Sequence, residues 1–453
     1  MRFIQSKCER RRNDGWGRTT LRTATALLLL APSALYAQHE GHDMSAMTEK
    51  PMVRFGAGVP MNRFASGTSW IPDAVSLPSQ SWMSGDWHLM AHGYGFLQFD
   101  HQSGPRGADQ LGSLNWGMLM ASRPLGMGAL QLRTMLSVDA ATVGGTGYPL
   151  LLQTGESYNG LAIHDRQHPH DAFMEVAALY DHPITKDFAL ELYVAPAGEP
   201  ALGPPAFMHR PSSVDDLAAP LSHHWQDASH VSFGVATVGL VWNRLKIEAS
   251  AFNGREPDQN RWNFDIAPLQ SYSARVTANP TENWSLTAGF GFIKSPEAGD
   301  AGYSMHRALT AVQYGHALSA DRQFAASVIW GGMSLSDRAG VLHSLLVEAN
   351  VADEERGSVF ARAEFVQKTS HDLALPETFA TDPERAFDIG SVSIGAVRTL
   401  SRTARTNLGL GARFSLNLVG GALESAYGGR VTGGVMVFLR LRPRRSAPMM
   451  DAH

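Results

Sequence analysis

The dominant pattern along the chain is an alternation of apolar and polar residues. It is clear in residues 130–138, where Leu130, Leu132, Leu136 and Val138 share one face while Gln131, Arg133 and Ser137 share the other. The same alternation recurs in residues 245–251, 359–365 and 408–416. A period of two is typical of β-strands whose two faces meet different surroundings. The pattern therefore predicts an all-β chain.

Loop lengths decide which all-β architecture is expected. Sixteen candidate strands begin near Trp87, Leu114, Ala129, Phe173, Phe188, Val231, Leu245, Ser271, Trp284, Ser304, Gln323, Val341, Ser358, Asp388, Thr406 and Tyr427. Long connections, such as 141–172 and 196–230, alternate with short ones, such as 243–244. Outer-membrane barrels have an even strand count, long external loops and short periplasmic turns. We predict a transmembrane antiparallel β-barrel of about 16 strands over residues 87–442.

Aromatic residues support the same architecture. Trp87, Phe188, Trp284 and Phe324 each open a strand at the predicted periplasmic rim, and Trp242 closes one there. Outer-membrane barrels carry such aromatic girdles at both interfaces. The last strand resembles the C-terminal assembly strand of these proteins, although a tail at 443–453 follows it.

The N-terminus predicts export. Residues 1–22 contain seven basic and two acidic residues, and an apolar run from Thr23 to Leu35 precedes a cleavage position after Ala37. A basic region, an apolar region and small residues in this order are typical of a signal peptide. We therefore expect residues 1–37 to be removed and the protein to reside in the outer membrane of a Gram-negative bacterium.

Composition agrees with a barrel and excludes other classes. With 18% charged residues and a mean hydropathy of −0.15, the chain is less charged than most soluble proteins and too polar for a helical membrane bundle. Loss of residues 1–37 changes the formal net charge from −4 to −9, which makes nucleic acid an unsuitable partner. It also removes Cys8, the single cysteine, and with it disulfides and thiol chemistry.

Residues 38–86 show no period, and we expect either a periplasmic arm or a plug in the lumen. The segment begins with His39, His42 and Met44, and resembles the short His/Met segments of periplasmic copper-resistance proteins. Imidazole and thioether ligands suit copper. The alternative is an arm of ordinary polar composition.

The two longest loops are rich in histidine and contain seven of the 18 histidines. Imidazole and carboxylate ligands favour copper or zinc over calcium or magnesium. The candidate ligands are His164, His168, His170, Asp171, His209, His223 and His224. If the loops fold inward, His168, His170 and His223 could surround one ion. Alternatively, these residues form a hydrogen-bonded network that constricts the pore.

A catalytic function has one candidate. The sequence Asp100-His101-Gln102-Ser103-Gly104 resembles the His-x-Ser core of the outer-membrane phospholipase, in which a histidine activates a serine. Gly104 stands where that family has asparagine, and no orienting partner can be assigned. We therefore predict no enzyme activity and keep a barrel hydrolase as the third hypothesis.

Longer strings resemble an uncharacterised family of bacterial outer-membrane barrels associated with copper and heavy-metal resistance. They include Gly85–Met90, Asp100–Gly107, Asp165–Asp171, Gly198–Arg210, Ser222–Asp227 and Phe252–Asp258. The resemblance implies the fold and the compartment, and metal involvement by association.

Three functional hypotheses follow. The first is a porin-like channel in outer-membrane lipid, narrowed by inward-folded loops, that passes small solutes or metal ions. The second is a non-conducting metal-binding barrel, and the third is the hydrolase. The lumen-facing residues carry both signs of charge, so no ion preference is expected. The oligomeric state is left open.

Overall fold

The computed structural model describes residues 55–296, 303–336, 340–375, 379, 382 and 385–445. The predicted signal peptide and the predicted ligands His39, His42 and Met44 lie outside the described residues, as does 446–453 of the predicted tail. Within the described ranges, no helix combines the length and the apolar composition needed to cross a membrane.

Nineteen strands account for most of the described chain. They are β1 (Ser79–Ser84), β2 (Trp87–Gln102), β3 (Asp109–Leu125), β4 (Gly128–Leu136), β5 (Tyr148–Tyr158), β6 (Leu161–Gln167), β7 (Phe173–Pro183), β8 (Phe188–Gly198), β9 (Ser232–Trp242), β10 (Leu245–Phe252), β11 (Ser271–Ala278), β12 (Trp284–Lys294), β13 (Ser304–Ser319), β14 (Arg322–Leu335), β15 (Leu342–Asp353), β16 (Gly357–Thr369), β17 (Ala386–Arg402), β18 (Thr406–Val419) and β19 (Val431–Pro443). The α-helices are single turns, namely α1 (Asp139–Thr142), α2 (His223–Gln226) and α3 (Glu424–Tyr427).

Sixteen of these strands close into an antiparallel barrel. Each of β2–β4 and β7–β19 pairs with its neighbour in the chain, and β19 pairs with β2, with Leu439 opposite Leu97. The predicted fold class and strand count are therefore confirmed. The largest difference in a strand start is at β3, expected from Leu114 and beginning at Asp109.

The barrel is apolar outside and polar inside. On β4, Leu132 is 43% exposed, whereas its neighbour Arg133 is 1% exposed. This inversion of the soluble pattern follows from a strand with one face toward lipid and one toward the lumen. The predicted alternation holds in β18 and β19 as well, where Arg413 and Arg440 are buried.

The predicted aromatic girdle is present at the end of the barrel with short turns. Phe188 stacks on Trp242 with ring centroids 4.8 Å apart, and Trp284 packs against Tyr314 at 4.8 Å. The guanidinium of Arg123 lies 5.3 Å from the ring of Trp87. These contacts join neighbouring strands at one level.

Three strands, β1, β5 and β6, differ from the sequence-based expectation. β1 lies within residues 38–86, where apolar and polar residues do not alternate. It forms because its backbone pairs with the start of β2. β5 and β6 form a separate hairpin within the long connection predicted at 141–172, where no strand is expected. The first seven residues of β5 are all buried, which removes the alternation that reveals a strand with one exposed face.

Candidate functional site

The lumen is occupied by two segments of the chain itself. We call residues 55–78 the plug segment and residues 199–231, which connect β8 to β9, the cross-loop. The plug segment includes short 3₁₀ turns at Gly56–Gly58 and Met61–Arg63, and the cross-loop includes α2. The inward-facing side chains of the strands bind both segments, which explains why so many charged residues face the lumen.

Barrel-wall cations hold the backbone of the plug segment. Arg133 on β4 donates to the carbonyl oxygens of Ala65, at 2.6 Å, and of Gly67. Lys246 on β10 donates to the carbonyl oxygen of Thr68 and lies 4.9 Å from the Trp70 ring. Since carbonyl groups of an irregular segment need donors when they are buried, these cations replace the missing strand partners.

The plug segment also reaches other strands. Arg275 on β11 donates to Thr68 Oγ1 at 2.8 Å, and Gln313 on β13 donates to the Trp70 carbonyl oxygen at 3.2 Å. The segment thus contacts strands on several sides of the lumen near the short-turn end.

The cross-loop is buried along almost its whole length, with only His224, Ala228 and Ser229 partly exposed. Its own charges pair with those of the wall. Arg210 Nε lies 2.7 Å from Glu348 on β15, and Asp216 Oδ1 lies 2.9 Å from Arg413 Nε on β18. Each of these two buried charges therefore meets an opposite charge, which offsets the cost of its burial.

Further pairs extend the cross-loop to neighbouring strands. Asp215 pairs with Arg440 on β19, and Arg362 on β16 donates to the Ala218 carbonyl oxygen at 2.8 Å. On the other side, Arg275 donates to the Gly203 carbonyl oxygen at 2.8 Å. Burial alone would raise the pKa of Asp215, but Arg440 and Arg442 lower it below its ordinary value. Asp215 is therefore ionised where it anchors the loop.

Small cavities remain in the filled lumen. Four of them have volumes of about 20 to 70 Å³. Such volumes hold from about one to a few water molecules. In this conformation the two segments fill the lumen between the wall strands.

Five histidines meet where the cross-loop contacts β6 and the chain that follows it. We call His168, His170, His223, His224 and His230 the histidine cluster. The ring centroids of His223 and His230 are 5.1 Å apart, those of His170 and His230 are 5.6 Å apart, and those of His168 and His224 are 6.2 Å apart. The structure thus brings together His168, His170, His223 and His224 from the predicted ligands.

Acceptors hold one nitrogen of each ring in the cluster. His223 Nδ1 lies 2.6 Å from Asp227, and His170 Nδ1 lies 2.7 Å from Asp139. Burial, followed by the neighbouring histidines, lowers the pKa of His230 to about 3 and that of His168 well below its ordinary value. Among the described residues, no three histidine or acidic side chains are arranged to hold a metal ion.

The other predicted ligands lie apart from the histidine cluster or contact other groups. His164 is exposed and its Nδ1 lies 3.0 Å from Asp165. Asp171 forms an ion pair of 3.1 Å with Arg261. His209 is buried, and its ring lies 4.5 Å from that of Trp116 and 5.2 Å from that of His92.

The residues of the hydrolase hypothesis take part in contacts between strands. His101 Nδ1 lies 2.6 Å from Asp109 across the β2–β3 pair. Ser103 Oγ accepts a hydrogen bond of 3.0 Å from the backbone N–H of Gly433. Both groups are engaged at the rim of the barrel.

The acidic anchors of the cross-loop and the wall residue Arg307 were not identified from the sequence. Asp215 and Asp216 follow Val214 in a Pro-rich loop, and a pair of adjacent acids there was the available signal. Inward-facing arginines at Arg413 and Arg440 were predicted from the alternation, but their partners lie about half the chain away.

Comparisons with known proteins yield distant structural similarity. No family model matches the chain, and no curated protein matches it. Solved structures that resemble it include OmpF of Salmonella typhi in complex with daunomycin, at 10% identity, a TM-score of 0.48 and coverage of 80% of this chain and 100% of that one. OprB of Pseudomonas putida has 10% identity, a TM-score of 0.47 and coverage of 81% and 99%. An anion-selective porin from Comamonas acidovorans has 11% identity, a TM-score of 0.43 and coverage of 79% and 99%.

Proposed function

We propose that this protein is an outer-membrane channel that the cross-loop and the plug segment hold closed, and that small solutes pass when these segments move. The cross-loop carries the proposal, because ion pairs anchor it to the wall in addition to the apolar packing of side chains such as Phe207 and Trp225. Arg210, Asp215 and Asp216 are all paired with wall residues. Ion pairs can separate and re-form without unfolding the barrel.

Conductance of the purified protein in planar lipid bilayers tests this function. We expect rare, short openings for the wild type. The double variant Asp215→Asn/Asp216→Asn should open at least ten times more often, because the loop loses its attraction to Arg440 and Arg413. A variant that lacks residues 55–78 and has residues 204–228 replaced by a short Gly-Ser linker should remain open.

A matched control is Glu355→Gln, which removes an exposed carboxylate paired with Arg402 outside the lumen. It should conduct like the wild type. Continuous large conductance of the wild type would contradict a closed channel. The absence of openings in all variants, including the shortened loop, would contradict a channel of any kind.

Metal binding by the histidine cluster is a second candidate function, favoured by the acceptors at His170 Nδ1 and His223 Nδ1. A carboxylate that accepts from Nδ1 leaves Nε2 as the ligand atom, as in many metal sites. The cluster would have to rearrange to surround copper or zinc. The association with copper tolerance stays a prediction.

Calorimetric titration with copper or zinc tests the second candidate. His168→Ala/His223→Ala should remove one bound ion, and His164→Ala, outside the cluster, should not. A separate variant, His39→Ala/His42→Ala/Met44→Ala, measures the contribution of the N-terminal arm. An unchanged stoichiometry in the first variant would eliminate the cluster as the site.

A further inference from the structure

The largest of the four cavities, about 70 Å³, lies beside α2 of the cross-loop. Arg307 and Met305 from the start of β13, Glu256 from the loop between β10 and β11, and His224 and Trp225 from α2 contribute to its lining. The start of β13 belongs to the barrel end with long loops, so the cavity is near the predicted external surface.

Arg307 is the unusual residue of this cavity. It is 3% exposed, and neither Nε nor Nη1 has a hydrogen-bond partner among the described residues. Its Nη2 lies 3.4 Å from the sulfur of Met305, a weak acceptor. Buried donors without partners are rare in folded proteins, and a buried guanidinium is among the most costly.

Three other polar atoms of the lining are also without partners in the described chain. They are Glu256 Oε2, His224 Nε2 and Trp225 Nε1. Glu256 and His224 orient each other, because His224 Nδ1 lies 3.4 Å from Glu256 Oε1. Among the described residues, the cavity therefore combines a cationic donor and an anionic acceptor that both lack a hydrogen-bond partner.

The remaining acids of the lining are already engaged. Glu156 pairs with Arg261, and Asp372 accepts a hydrogen bond of 2.7 Å from the backbone N–H of Thr369. Within the described part of the lining, Arg307 and Glu256 are thus the charged residues that keep polar atoms without a hydrogen-bond partner. A ligand that satisfies both must carry a negative and a positive group at short separation.

We propose that this cavity binds a small zwitterion, with its carboxylate on Arg307 and its ammonium group on Glu256. The indole N–H of Trp225 is a second donor for the carboxylate, and His224 Nε2 is a second acceptor for the ammonium group. The small volume restricts the ligand to the size of a simple amino acid.

This proposal rests on the proposed channel function. It adds the class of solute, a small zwitterion, that would bind at the closed lumen first. Binding and conductance are measured separately. A failure to bind leaves the conductance result unaffected, and a protein that never conducts can still bind the ligand.

Isothermal titration of the full-length protein in detergent tests the site, with glycine, acetate and methylammonium as probes. We expect saturable binding of glycine, and affinity at least tenfold lower for acetate and for methylammonium. Arg307→Met and Glu256→Gln should each weaken glycine binding at least tenfold. Arg405→Met, at an exposed periplasmic turn, is the matched control and should bind like the wild type.

Folding of each variant is checked by its heat-dependent migration on gels. If Arg307→Met misfolds, Arg307→Lys takes its place, because lysine keeps the charge but not the planar donors. Absence of saturable glycine binding by the wild type would mean that the cavity holds water only and would overturn the proposal. Equal affinity for acetate and glycine, with no effect of Glu256→Gln, would also overturn it.

Discussion

At the scale of single residues, the lumen depends on pairing of buried charges. Asp215 and Arg440 are at most 2% exposed and lie in direct contact. Removing one member of such a pair leaves an uncompensated buried charge, at a cost of about 3–5 kcal/mol. The ion pair therefore stabilises the folded lumen as well as holding the cross-loop in place.

We predict that Asp215→Asn lowers the free energy of unfolding by about 3–5 kcal/mol. Urea titration in lipid vesicles, followed by tryptophan fluorescence, measures the change. The exposed pair of Glu355 and Arg402 provides the comparison, and Glu355→Gln should cost less than about 1 kcal/mol. Equal losses in the two variants would contradict an anchoring role for Asp215.

The histidine cluster predicts a loss of stability in acid. Burial, then His223 and His170, lowers the pKa of His230 to about 3, whereas an unfolded histidine titrates near ~6.5. Above pH ~6.5, His230 is neutral in both the folded and the unfolded chain, and its contribution to stability is fully present. As the pH falls from ~6.5 toward 3, only the unfolded chain gains a proton at His230, and the free energy of unfolding decreases. At pH ~5 the cost is roughly 2 kcal/mol for each histidine that stays neutral in the fold.

Unfolding titrations between pH ~7 and ~5 measure this effect. His230→Gln should flatten the dependence on pH, because it removes one group that gains a proton on unfolding. Ser157→Gln, which replaces an exposed residue that does not titrate, is the control and should leave the slope unchanged. A slope that is the same in all three proteins would contradict the contribution of His230.

At the scale of elements, glycines on the barrel wall allow the cross-loop to approach. A Cβ at Gly289 on β12 would overlap the carbonyl oxygen of Leu202, and one at Gly331 on β14 would press on that of Trp225. We predict that Gly289→Ala displaces the cross-loop, increases open time in bilayers and costs about 1–3 kcal/mol. Gly117→Ala, where the Cβ meets no described atom within 4 Å, should change neither property.

Strands could be predicted from the sequence wherever one face contacts lipid and the other faces the lumen. β4 was identified because Leu132 faces lipid and Arg133 faces the lumen. β5 was missed because its first residues are covered on both faces. The path of the cross-loop was not predictable, because its anchor pairs, such as Asp215 with Arg440, are 225 positions apart and no local pattern encodes such a partner.

The histidines show the same limit. Their concentration in two loops suggested that they meet, and His168 and His223 do contribute to one cluster. His209 has the same composition signal but packs against Trp116 instead. Sequence spacing does not determine which ring nitrogen of a loop histidine finds an acceptor, because that depends on the three-dimensional path of the loop.

At the scale of the whole molecule, the barrel reverses the arrangement of a soluble protein. Its apolar residues lie outside, its polar residues lie inside, and two segments of its own chain fill the lumen. The apolar band faces outward, while Arg133, Lys246 and Arg275 face inward and bind the plug segment. Such a barrel has two distinguishable ends, one with short turns and one with long loops. Its orientation in the membrane determines whether the zwitterion site and the histidine cluster meet the medium or the periplasm.

Cysteine labelling on intact cells tests this orientation, and the sequence provides a clean background because Cys8 is the single cysteine. Ala422 and Ala404 are exposed at opposite ends of β18. A membrane-impermeant maleimide should label Ala422→Cys in intact cells. It should label Ala404→Cys only after the outer membrane is permeabilised, because short turns face the periplasm.

The wild type is the control for export, because removal of residues 1–37 takes Cys8 with it and should leave no thiol to label. Labelling of the permeabilised wild type would show that the predicted signal peptide is retained. Labelling of Ala404→Cys but not Ala422→Cys in intact cells would place the long loops in the periplasm. The cavity at Arg307 would then take its ligand from the periplasmic side, and the proposed order of solute entry would be reversed.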